Sequence, residues 1–83
     1  MAHHLSAKKR IRQNEQRREH NRYYARSTRN AIKDLRSTKD KNAAAEMLPR
    51  ISSMVDRLAK MHIIHRNKAA NLKSKLAKHV NDL

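Results

Sequence analysis

The sequence predicts an all-α fold: a three-helix up-down-up bundle in which a long, basic first helix extends beyond the packed core. Two observations carry that expectation. Glycine is absent and proline occurs once in 83 residues, whereas Ala, Lys, Arg and Leu are abundant, and these lose little free energy in a helix. Apolar residues also recur at steps of three and four in three stretches, separated by two short connections, which is the pattern of an antiparallel bundle.

The first helix is expected from an N-cap at Ser6 to about Arg36. A helix of that size is roughly 45 Å long at 1.5 Å per residue. Ala25, Thr28, Ile32 and Leu35 form a thin apolar seam near its C-terminal end. Ser37-Thr38-Lys39-Asp40 reads as a turn, with Asp40 or Asn42 capping the second helix. The second stripe is Ala44, Met47 or Leu48, Ile51, Met54 or Val55, Leu58 and Met61. Pro49 lies inside it and cannot donate to the carbonyl of Ala45, so it either kinks this helix or starts a new one. Met61-His62-Ile63-Ile64 is expected to hold the second turn. A third helix then spans about His65 to Val80, with Ala69, Leu72, Leu76 and Val80 inward.

Length allows one small domain over 1–83. Leu, Ile, Val and Phe total 14 residues, and twelve of them fall between Ile32 and Leu83. A core is therefore expected over 32–83, with 1–31 as a basic arm that becomes ordered on its partner.

The net charge of +14, from 21 Lys and Arg against 7 Asp and Glu, points to a polyanionic partner. Arg22, Arg26, Arg29, Lys33 and Arg36 share one helical face. Lys8, Lys9, Arg10, Arg12, Arg17 and Arg18 are expected to lengthen that ridge. Like-charged neighbours such as Arg18–Arg22, Arg22–Arg26 and Arg29–Lys33 repel by about 0.2–0.5 kcal/mol per pair, so a nucleic-acid backbone is the best candidate to lie against them. Lys8, Lys9 and Arg10 occupy the expected first turn, where the helix dipole disfavours cations unless an anion sits there. His65, Arg66, Asn67 and Lys68 open the third helix with four successive polar side chains, and Asn71, Lys73 and Lys75 extend that cluster. Tyr23 and Tyr24 are the only aromatics. Tyr24 is expected against a neighbouring helix, with stacking on a base or sugar as the alternative. So few aromatics favour recognition of backbone and shape over a row of stacked bases.

Catalysis has no support. There is no Gly-rich phosphate loop, no paired carboxylate and no serine with a base beside it. Cysteine is absent, which removes disulfides, thiol chemistry and Cys-based zinc sites. His62 and His65 alone make a poor metal site, so no cofactor or metal is expected. No stretch reaches the roughly 18 apolar residues of a membrane span.

Ser6-Ala7-Lys8-Lys9-Arg10, His20-Asn21-Arg22, Val55-Asp56-Arg57 and above all Ile64-His65-Arg66-Asn67-Lys68-Ala69-Ala70 resemble the bacterial small-subunit ribosomal protein S-twenty family along nearly the whole chain. The resemblance implies a three-helix bundle in the cytoplasmic ribosome, binding small-subunit (16S) ribosomal RNA directly and bridging several RNA helices. It also implies few or no protein neighbours and no homo-oligomer. The matching positions Lys8, Lys9, Arg10, His20, Asn21, Arg29, His65, Asn67 and Lys68 would carry binding. His62 stands where the family usually has glycine, and Asn71 replaces a common arginine. The rival reading is a small basic DNA-binding protein of the nucleoid type.

Overall fold

The computed structural model describes residues 2–83, with side chains from Ser6 onward. Its helices are α1 (Ala2–Ser37), α2 (Lys41–Lys60) and α3 (Arg66–Asn81). They form the expected all-α architecture with α2 in the middle. It packs against both neighbours, while α1 and α3 barely meet. The molecule is elongated, 62 × 21 × 13 Å.

Ser6 does not cap α1, which runs back to Ala2. Residues 2–5 hold no helix breaker and Ser6 is followed by helix formers, so nothing in the local chemistry ends the helix there. At the other end the Ser37 Oγ donates to the Lys33 carbonyl (2.9 Å) and the Thr38 Oγ1 to the Asp34 carbonyl (2.8 Å). The Asp34 carbonyl also accepts the Thr38 backbone N–H at 3.1 Å, so these hydroxyls add second bonds to carbonyls of the last turns. Asp40, in extended backbone, then caps α2 by accepting the Asn42 N–H at 3.3 Å.

The core is Leu35, Ala44, Ile51, Val55, Ala69, Leu76 and Val80, flanked by Ala31, Ile32, Met47, Leu48, Ala59, Ile64 and Leu72. Leu58 is also buried. The stripes expected on α2 and α3 face inward as spaced. Thr28 is buried too, 2% exposed, and its Oγ1 donates to the Tyr24 carbonyl at 2.9 Å. A back-bonded hydroxyl of this kind enters a core without an unsatisfied donor. Packing along α1 thus reaches back to Asn21, past the boundary at Ala31 drawn from the apolar count, whereas residues 6–20 are exposed throughout.

α2 is continuous through Pro49, so no new helix starts there. The ring is exposed, which places the forfeited Ala45 hydrogen bond on the solvent side, where water replaces it. The second turn is a Schellman-type end. The His62 N–H donates to the Ala59 carbonyl (3.1 Å) and the Ile63 N–H to the Leu58 carbonyl (2.9 Å). His62 takes the left-handed backbone that glycine usually supplies, with φ 61°. The glycine geometry survives without the glycine.

Candidate nucleic-acid interface

The interface starts from α1. Arg18, Arg22, Arg26, Arg29, Lys33 and Arg36 are exposed, and their spacing keeps them within about one quarter of the helix circumference. The buried Thr28 and Leu35 lie roughly 120° away at 100° per residue, so the helix packs with one flank and presents its cations with another. Upstream the expectation needs correcting. At the same 100° per residue, Arg10 and Arg17 fall on the flank of Thr28 and Leu35, Lys9 lies nearly opposite the ridge, and Lys8 and Arg12 stay near its edge. Lys8, Lys9, Arg10, Arg12 and Arg17 therefore surround the projecting helix like a collar. The steps of three and four that define the ridge hold only from Arg18 onward.

The bundle brings part of α3 to this ridge. Arg29, Arg36 and Lys68 rim a hollow of about 390 Å³ whose floor includes Ile32, Val55, Leu58 and Leu72. Two cations from α1 and one from the first turn of α3 thus meet over an apolar floor. At α3 the His65 Nδ1 accepts the Asn67 backbone N–H at 3.1 Å, in extended backbone. His65 is consequently the N-cap rather than the first helical residue. A neutral ring that accepts at Nδ1 carries its proton on Nε2, which leaves that N–H to donate outward. Arg66, Asn67 and Lys68 are exposed beside it, at a helix end whose free N–H groups favour anions.

The remaining expected residues divide. His20 is exposed and Asn21 half-buried. Lys75 is exposed, but Lys73 forms an ion pair with Asp56 at 2.7 Å that ties α3 to α2. Among the described residues no other Lys or Arg forms an ion pair, so the ridge side chains are unpaired, although Glu15 and Glu19 share their side of α1. Lys73 contributes to holding the helices together more than to the charged surface. Among the described residues no three His, Asp or Glu side chains gather as a metal site, and no helix is long and apolar enough to cross a membrane.

Arg50 and Arg57 of α2 escaped the sequence reading. The Arg57 guanidinium lies 5.6 Å from the centre of the Tyr24 ring. His20 and Tyr23 both meet that ring edge-on, at 4.6 and 5.9 Å between centres. Tyr24 is half-buried against α2, as its place beside the seam suggests, while Tyr23 is 67% exposed. The available signal was the step of seven between Arg50 and Arg57, which puts both on the α2 flank turned toward the tyrosines.

These features define a helical polycation: a charged rod anchored in a small bundle, with no catalytic constellation among the described residues and a surface suited to phosphates. Residues 2–81 match the family model of ribosomal protein S20. The chain is 61% identical to small ribosomal subunit protein bS20 of Parabacteroides distasonis, over all of this chain and 99% of that protein. It is 64% identical to the bS20 protein of Christiangramia forsetii over 96% of each, and 62% identical to that of Flavobacterium johnsoniae over 96% of each. The chain belongs to the ribosomal protein S20 family.

Proposed function

We propose that this protein is a structural, non-enzymatic constituent of the small ribosomal subunit, held in the cytoplasmic ribosome by direct contact with ribosomal RNA. The observation that carries the reading is the exposed ridge from Arg18 to Arg36, unpaired within the protein, in a chain whose relatives are named small ribosomal subunit proteins. The partner RNA is 16S ribosomal RNA, and contacts with other proteins are few.

Contact runs through three groups. Lys8, Lys9, Arg10, Arg12 and Arg17 enter RNA as a collar. Arg18, Arg22, Arg26, Arg29, Lys33 and Arg36 line one phosphate track, with Asn21 near its edge. His20 meets RNA from the opposite flank of α1, beside Tyr24. His65, Arg66, Asn67, Lys68 and Lys75 grip a second track at the opening of α3. A-form RNA hides its base edges in a deep, narrow groove, so Lys and Arg hold backbone and shape more than sequence. Cations pointing in several directions from one rod suit a protein that RNA surrounds, and bridging between RNA helices follows.

A filter-binding salt titration with 16S ribosomal RNA tests this. Contact with roughly 6–10 phosphates gives a slope of log affinity against log salt between about −4 and −9. A flat response removes the electrostatic basis of the proposal.

A further inference from the structure

Away from the ridge, α1 and α2 enclose a second hollow, about 460 Å³, lined by Tyr23, Tyr24, Ser27, Arg50, Ser53, Met54 and Arg57. Tyr23, Tyr24 and Ser27 of α1 (i, i+1 and i+4) face Arg50, Ser53, Met54 and Arg57 of α2 (i, i+3, i+4 and i+7), so helical spacing gathers each set on one side of its helix. Its chemistry differs from that of the ridge. It offers two tyrosine rings, one of them exposed, two guanidinium groups, two serine hydroxyls and a thioether, with no carboxylate. The adjoining groove between the same helices does carry carboxylates, Asp34 and Glu46, and Arg50, Ser27 and Met54 line both hollows.

We infer that this hollow is a slot for one unpaired nucleotide of RNA, with the base stacked on Tyr23 and the flanking phosphates held by Arg50 and Arg57. A volume of that size suits a small ligand, and a base offers a flat face while its phosphates offer charge. Tyr24 cannot serve as the stacking face, because Arg57 already occupies it and His20 and Tyr23 abut its ring. Those contacts instead fix the ring against which Tyr23 rests. Tyr23 keeps two-thirds of its surface open, the largest exposure among the bulky apolar side chains described. Arg50 and Arg57 are seven residues apart, about 10.5 Å along α2, so they stand toward opposite ends of the slot. Ser27 and Ser53 supply hydroxyls for the base edge or sugar. The slot rests on the ribosomal reading above and adds to it a contact that reads an unstacked base rather than a phosphate track.

The test compares the full-length wild type with Tyr23→Ala, Tyr23→Phe and Arg50→Gln on 16S ribosomal RNA, by filter binding at several salt concentrations and by ultraviolet crosslinking with mass-spectrometric mapping. Removing a stacked base by alanine substitution weakens binding by at least about fivefold. Tyr23→Ala is expected to do so with the salt slope unchanged, and Tyr23→Phe to stay within about twofold of the wild type. Arg50→Gln should weaken binding and flatten the slope by about one phosphate. The peptide carrying Tyr23 should crosslink to a single unpaired nucleotide. The slot is overturned if the wild type binds RNA but Tyr23→Ala matches it, or if Tyr23 crosslinks in the assembled subunit to another protein. Failure of the wild type to bind at all would bring down the ribosomal reading together with the slot.

Discussion

At the residue scale, His62 carries the clearest cost in the fold. A side chain in the left-handed region crowds the following carbonyl, a penalty of order 1 kcal/mol that glycine avoids. Histidine is among the residues that tolerate it best, and the two Schellman hydrogen bonds hold it there. His62→Gly should therefore stabilise the protein by about 0.5–1 kcal/mol, a rise of a few degrees in the thermal midpoint. Thermal unfolding followed by circular dichroism checks this, and a lower midpoint would refute the strain account. The sequence showed that the second turn lay here, since Met61-His62-Ile63-Ile64 separates two periodic stretches. It did not show how a chain without glycine would close that turn, because a Schellman end depends on one backbone angle and leaves no mark in hydrophobic spacing. The cap at His65 was missed for a related reason. Histidine is not among the usual N-cap residues, and only the rotamer reveals that Nδ1 turns back onto the backbone.

At the element scale, α1 combines two halves with different reasons to be helical. From Asn21 to Ser37 its flank packs against α2, and burial of Thr28 and Leu35 supports it. Residues 6–20 bury nothing, and isolated helical segments of about 12–15 residues are marginal in water. With α1 starting at Ala2, Lys8, Lys9 and Arg10 lie past its first turn, but like-charged i, i+4 pairs such as Lys8–Arg12 oppose that half further. Binding should order it by placing phosphates where the repulsion is. Far-ultraviolet circular dichroism of the free protein at low salt should thus show less helix than the three full elements, with the difference regained on adding ribosomal RNA. Complete helicity in the free state would remove the case for coupled ordering. The apolar stripes on α2 and α3 were legible residue by residue, because burial there is carried by aliphatic side chains at regular steps. The packing of Thr28 and Tyr24 was legible in the seam. The arm boundary at Ala31, drawn from aliphatic residues alone, fell short, since these two join the bundle through a back-bonded hydroxyl and a cation over a ring.

At the scale of the whole molecule, the charge excess was plain in composition, but its arrangement was only half legible. The regular steps from Arg18 to Arg36 gave a true ridge, whereas a list of basic residues upstream did not reveal that they encircle the rod. Surfaces brought together from different helices, such as Arg29 and Arg36 with Lys68, required the tertiary fold. Such a distribution should discriminate between polyanions by shape. In a competition assay at fixed salt, folded 16S ribosomal RNA should displace the protein from duplex DNA, and equal or tighter binding to DNA would favour a nucleoid-type role. The 62 Å length against a 13 Å depth carries one more consequence. A small bundle fixed to a long thin shaft resembles a dowel: once RNA has ordered the shaft, the bearing of its tip follows from that of the head. Two pieces of RNA gripped at opposite ends would lose their freedom to swing independently, so the protein would set an angle between them as well as cancel their charge.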